Sequence, residues 1–221
     1  MILILRASMI GMSDRRFSVT RVRHEVICAD ALLWLPVNLC SGYGIATSPP
    51  DAEEIGADLR DWAAWFLKAV DACLGNGGPV VFYVTDRLHG GRRISKAALI
   101  FRMARARGVP LVWHKIALRR GIGKVDIRRA GYSHVLAFGN CKAGRATPDV
   151  LNAGPMLYRN ATGETAAALM AAFIADHCDV LVDPFCGQGA ILRAGLEAGL
   201  SVVGVDIDDG QCAKARALLV R

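Results

Sequence analysis

Val180-Leu181-Val182-Asp183-Pro184-Phe185-Cys186-Gly187-Gln188-Gly189 is an apolar, β-branched run that ends in an acid, a proline and two spaced glycines. Such a run reads as a buried strand, and the glycines let the backbone approach a ligand where side chains could not. Residues 189–198 continue as a helix, and residues 201–205 as a second strand that ends at Asp206. Strand, glycine turn, helix, strand and acid make one β-α-β unit, with the turn and Asp206 at the same carboxyl edge. A carboxylate there can accept hydrogen bonds from both hydroxyls of a ribose. Dinucleotide sites share this logic, but the G-x-G-x-x-G spacing is absent.

A second turn of the same kind lies far upstream. Residues 44–48 form another apolar run, which stops at Thr47-Ser48-Pro49-Pro50. Between and around the two turns, strand and helix patterns alternate. Residues 25–30 read as a strand ending in an acid, and 31–35 as a short helix stopped before Pro36. Residues 57–74 place Leu59, Trp62, Phe66, Val70 and Cys73 on one helical face, ended by Gly75-Asn76-Gly77-Gly78. A strand at 79–85, a helix at 95–107 capped by Ser95, and strands at 111–117 and 133–138 follow. A linker rich in Gly, Ala and Pro spans 142–155, a helix covers 163–177, and the last helix covers 209–220. The class is α/β with a mainly parallel sheet.

The chain has 221 residues, 53% of them hydrophobic, enough for one sizeable core. We expect a basic, mobile arm at 1–22 and a single domain over 23–221, in halves 23–140 and 160–221 joined by 141–159. Met9 and Met12 are candidate alternative starts. The net charge of +7 points to an acidic partner such as nucleic acid. The seven cysteines are scattered, with no Cys/His spacing that could hold a metal, which suggests a reducing cytoplasm. No apolar run approaches a membrane span.

Together, the two turns resemble the motifs of S-adenosylmethionine-dependent DNA N4-cytosine and N6-adenine methyltransferases, in the circularly permuted, β-type order. V-D-P-F-C-G-x-G is similar to the family's D-P-F-x-G-S-G-T, with Gln188 and Ala190 in place of Ser and Thr. The resemblance implies a Rossmann-like class I sheet and S-adenosyl-L-methionine as cofactor. Phe185 and Gly187 would line its methionyl part, Asp183 anchor its amino group and Asp206 hold the ribose. Pro184, Cys186, Gly189, Ile207 and Thr47 complete that region. Asp30, followed by Ala31-Leu32, matches the acid that reads the adenine amino group, though it could equally be a plain helix cap. Asn160, Thr162 and Gly163 correspond to a segment closing over the methionine end, or serve only as capping residues.

Thr47-Ser48-Pro49-Pro50 is similar to the family's [D/N/S]-P-P-[Y/F/W] motif. An exocyclic base amine is a weak nucleophile, because its lone pair is delocalised into the ring. Ser48 and the Pro49 carbonyl would accept its two N–H bonds and aim it at the methyl group, with Pro49 and Pro50 holding the turn rigid. Asp51 stands where the family has a base-stacking aromatic. It could accept a hydrogen bond from the target, act as a general base, or begin a helix with Glu53 and Glu54. Tyr132 lies where the family often has a second aromatic, and Tyr83, Thr85 and Asp86 end a strand on the same rim. The four tryptophans read as packing.

Between Arg87 and Arg129 thirteen basic residues face one acid, Asp126. This is the pattern of a phosphate-binding surface, or of an ordinary solvated face, with Arg119, Arg120, Lys124, Arg128 and Arg129 as substrate contacts. No sizeable recognition region follows residues 134–138, which favours structured RNA, tRNA in particular, over DNA. A DNA base, a small-molecule amine and a non-catalytic RNA-binding role are the alternatives.

Overall fold

The computed structural model describes residues 23–38, 42–127 and 129–220. The elements are β1 (His24–Cys28), α1 (Ala31–Asn38), β2 (Tyr43–Thr47), α2 (Leu59–Leu74), β3 (Val80–Val84), β4 (Arg87–His89), β5 (Arg92–Ile94) and α3 (Lys96–Arg107). Then come β6 (Leu111–Leu118), β7 (Tyr132–Phe138), β8 (Val150–Asn152), α4 (Glu164–Ala175), β9 (Val180–Asp183), α5 (Ala190–Glu197), β10 (Ser201–Asp206) and α6 (Asp209–Leu219). The expected arm at 1–22 lies outside the described residues.

Eight strands form one sheet in the order β1-β10-β9-β2-β3-β7-β6-β8. All neighbours are parallel except β7, which runs against both β3 and β6. Successive residues of a strand face opposite sides, and the core splits accordingly. Ala46, Val81 and Val135 pack under α4, α5 and α6. Ile45, Phe82 and Leu136 pack under α1, α2 and α3. Phe66 and Val70 of α2 are wholly buried there, contributing about 1.5–3 kcal/mol each.

From β2 the chain proceeds outward through β3, whereas from β9 it proceeds the other way through β10. The order therefore reverses between β2 and β9, which pair as Tyr43 with Val180 and Ile45 with Val182. A crevice opens outside the carboxyl ends of two such strands, where open α/β sheets hold ligands. Both motif turns leave the sheet there.

Several expectations need correction. α1 does not stop before Pro36 but continues through it. The Asp30 carboxylate caps its start through the Leu32 N–H at 2.8 Å, and fully buried Leu35 anchors it, at the loss of one intrahelical bond at the proline. α2 begins at Leu59, capped by Asp58, so Asp51 starts no helix; residues 51–56 are turns. The β4–β5 hairpin and β8, three residues per strand, were not expected. The linker is thus partly sheet, since β8 pairs with β6.

Candidate functional site

A cavity of about 820 Å³ occupies the crevice, a size suited to a cofactor together with part of a substrate. Its floor is the 183–189 turn. Gly187 and Gly189 take positive φ (51° and 88°), which side chains disfavour, and so the turn tightens into the N-terminus of α5. The Gly187 N–H donates to Asp206 Oδ2 at 2.8 Å, and the Asp208 N–H donates to Oδ1 at 3.0 Å. Asp206 is thereby fixed against the turn with its carboxylate on the cavity wall.

Asp183 is 1% exposed. The Thr47 hydroxyl donates to its Oδ1 at 2.7 Å, tying β2 to β9, and the Phe185 N–H donates to the same oxygen at 3.2 Å. Burial pushes the carboxyl up to about 7; the two hydrogen bonds oppose the rise, and the nearby Asp206 charge adds to it. Buried Cys186 lines the cavity beside it, with its thiol raised first by burial and then by Asp183 and Asp206, which keeps it protonated and inert.

The Ser48-Pro49-Pro50 turn forms the facing wall. The Trp62 indole N–H donates to the Pro50 carbonyl at 3.1 Å. Neither the Ser48 hydroxyl nor the Pro49 carbonyl has a hydrogen-bond partner among the described residues, so both remain available to a ligand in the cavity. Trp62 is therefore a support for the turn as well as a core residue. Trp65 also reaches the cavity and packs edge-on against Phe185, ring centroids 5.5 Å apart.

Asp51, 9% exposed, is the centre of an ion cluster. Arg87 lies 2.9 Å from its Oδ2, Lys96 contacts Oδ1, and Arg129 lies 3.8 Å from Oδ2; Arg87 also pairs with Glu53. The carboxylate thus gathers three cations around itself. The long basic run is paired elsewhere too, Arg107 with Asp71, Lys115 with Asp149 and Arg120 with Asp126. Acids distant in sequence thus pair with five of the thirteen basic residues, Arg87, Lys96, Arg107, Lys115 and Arg129.

Of the other expected residues, Asp30, Pro184, Ile207, Asn160, Thr162, Arg119 and Arg129 line the cavity. Thr47 stands behind Asp183. Gly189 caps α5. Gly163 caps α4 and packs so closely that a Cβ there would come within 2.2 Å of the Ala153 carbonyl oxygen. Asp86 and Tyr132 do not line it, whereas Tyr83 and Thr85 do. Asp86 is instead buried, accepting the Lys96 N–H at 3.0 Å and facing His134, which in turn contacts His114 at 2.9 Å. Burial works to raise Asp86, but His134 and the Lys96 N–H bring it below the ordinary carboxylate value. Tyr132 packs edge-on against His134. Arg120 and Lys124 are exposed outside the cavity, and Arg128 lies outside the described residues.

Sequence reasoning missed Lys96 and Tyr158. Lys96 was read as a surface charge. The Tyr158 hydroxyl accepts the Ala190 N–H at 3.2 Å over the glycine turn, and burial pushes it up to about 12. Only its place just before the expected Asn160–Gly163 segment could have signalled it. No group of residues suited to a metal ion occurs among the described residues. No helix among them is long and apolar enough to cross a membrane.

No family model matches the chain, and no curated protein matches its sequence. Solved structures do resemble it. TTHA0409 of Thermus thermophilus, described provisionally as a DNA modification methylase and solved with S-adenosyl-L-methionine, has a TM-score of 0.68 at 17% identity, over 90% of this chain and 93% of that one. PvuII DNA methyltransferase, cytosine-N4-specific, gives 0.68 at 14% identity, over 88% and 85%. M1.HpyAVI in complex with S-adenosylmethionine gives 0.55 at 17% identity, over 89% and 99%. The fold of this chain is thus the class I methyltransferase sheet that the resemblance implied. The similarity spans nearly the whole of TTHA0409, so that protein too carries no long insert relative to this chain.

Proposed function

We propose that this protein transfers a methyl group from S-adenosyl-L-methionine to the exocyclic amino group of a DNA base, in the manner of an N4-cytosine or N6-adenine methyltransferase. One observation carries the reading: the Ser48-Pro49-Pro50 turn and the Asp183–Gly189 turn, 136 residues apart at the Thr47–Asp183 hydrogen bond, face each other across one cavity. Neighbours described as DNA methylases support DNA over RNA.

The residues present fit the cofactor. A glycine-lined turn admits close approach, Asp206 offers a fixed carboxylate for ribose hydroxyls, and the buried Asp183 gains a counter-charge from an ammonium group. Bound there, the cofactor supplies an activated methyl on sulfonium, a good leaving group. The chain's part is positioning. Ser48 Oγ and the Pro49 carbonyl accept the two amine N–H bonds and turn the nitrogen lone pair toward the methyl group. Trp62 occupies the Pro50 carbonyl, so of the two proline carbonyls only Pro49's is open. The S–CH3 bond would break as the N–CH3 bond forms, and the methylated nitrogen would shed its proton to solvent; Asp51 holds Arg87, Lys96 and Arg129 beside the turn.

The test is methyl transfer from labelled cofactor to genomic DNA, total RNA and small amines in parallel, followed by nucleoside mass analysis. N4-methylcytosine or N6-methyladenine in DNA is the expected product. Label confined to RNA or to small amines would overturn the proposal.

A further inference from the structure

The loop between β6 and β7 carries three large aliphatic side chains almost fully in solvent: Ile122 is 92% exposed, Val125 85% and Ile127 81%. Single exposed aliphatics are ordinary, but three within six residues concentrate apolar surface on one loop. Exposed Arg120 precedes them and exposed Lys124 lies among them, while Asp126, between Val125 and Ile127, is half-buried. The loop stands at the mouth of the cavity. β7 is antiparallel to β3 and β6, with Val84 paired to His134 and Leu118 to Tyr132, so the loop springs from the same edge as the catalytic turns. Its two feet, Arg119 and Arg129, line the cavity.

A partner for this loop must present anions and a dry interior together. Duplex DNA does so, with phosphates outside and a stack of base pairs within. Aliphatic wedges inserted between base steps unstack them, and a base taken out of the duplex leaves a gap that such a side chain can fill. We infer that the loop between β6 and β7 engages duplex DNA, its exposed Arg120 and Lys124 on phosphates, and that Ile122, Val125 and Ile127 form a wedge that opens the stack beside the base entering the cavity. The inference rests on the DNA reading proposed above. It assigns to an aliphatic loop the support of the opened duplex, where Asp51 stands at the position of the family's stacking aromatic.

The experiment compares the wild type with an Ile122→Ser, Val125→Ser, Ile127→Ser variant on duplex and single-stranded oligonucleotides of one sequence. All three positions are exposed, so folding and cofactor affinity should not change. We expect methylation of the duplex to fall at least tenfold and that of the single strand to stay within twofold. A mismatch opposite the target, which removes the cost of opening, should restore the duplex rate. Equal loss on both substrates, or none, overturns the wedge. Duplexes carrying 2-aminopurine beside the target give a readout that needs no methyl transfer. A fluorescence rise on binding the wild type, absent in the variant, supports the wedge even if the methyltransferase reading fails; no rise overturns it. Aliphatic-dependent binding to anionic lipid vesicles, with none to duplex, would assign the loop to a membrane surface instead and overturn the inference.

Discussion

The buried Asp183 predicts that cofactor binding is coupled to a proton. In the empty site burial holds this carboxyl near 7, so it is about one-tenth ionised at pH 6 and about nine-tenths ionised at pH 8. An ammonium group beside Asp183 favours the ionised form. Affinity for S-adenosylmethionine should therefore rise about fivefold from pH 6 to pH 7, and fall again above pH ~8 as the ligand's own ammonium group loses its proton. Calorimetry in two buffers of different ionisation enthalpy should detect close to one proton released per cofactor near pH 6 and about half as many at pH 7. S-adenosylhomocysteine, which keeps the ammonium but lacks the sulfonium charge, should show the same dependence. Asp183→Asn should bind weakly and without it. The same group shapes stability. Its folded value lies above the ordinary 3.8, so its stabilising contribution is complete below pH ~4 and is lost as pH rises through about 7. That loss in the ligand-free protein is on the order of 4 kcal/mol, and Asp183→Asn should remove it. A wild-type affinity that is flat between pH 6 and pH 8, with no proton release, would refute the assignment of Asp183 to the ammonium group.

Ser48→Ala should lower single-turnover methylation roughly a hundredfold or more while leaving cofactor affinity within twofold, because its oxygen acts on the substrate amine; unchanged turnover makes Ser48 a strand-end residue only. Trp62→Phe keeps the aromatic packing but releases the Pro50 carbonyl, so turnover should fall with about 0.5–1.5 kcal/mol of stability lost in denaturant unfolding. A stability loss without any effect on turnover would show that the indole does not position the turn. Asp51→Asn should destabilise the fold by roughly 3–5 kcal/mol by leaving buried Lys96 without its counter-charge, and adding Lys96→Met should recover most of it. If Asp51→Asn is as stable as the wild type yet inactive, the general-base reading returns.

The sheet and the switch-point site were legible because each signal is local. An apolar strand, an acid and a glycine or proline turn are contiguous, and their chemistry does not depend on what packs against them. β4, β5 and β8 were not legible, since three residues are too few to show a period; partners at long range hold them, β8 against Ile116–Leu118 of β6. Asp51 was misread for a related reason. Next to Glu53 and Glu54 in sequence it looks like the acidic start of a helix, but its partners Arg87, Lys96 and Arg129 come from three other elements. Trp62 fills a helical face that predicts burial correctly, yet the periodicity says nothing of where its N–H points.

The Asp51 cluster also joins parts of the mechanism that sequence treats separately. Arg87 begins the β4–β5 hairpin, Lys96 begins α3, and Arg129 is the second foot of the 119–131 loop, which bridges back to Arg87 through backbone pairing. One carboxylate, directly after Pro50, therefore ties the Ser48-Pro49-Pro50 turn to the loop that carries Ile122, Val125 and Ile127. An aromatic at this position could stack on a base but could not hold three cations. In the proposed mechanism, support for the opened base moves outward to the loop, whose foot Arg129 is held near the turn by its ion pair with buried Asp51. Loosening the cluster should thus weaken methylation of duplex more than of single strands, even where Ser48 and the cofactor cradle are untouched.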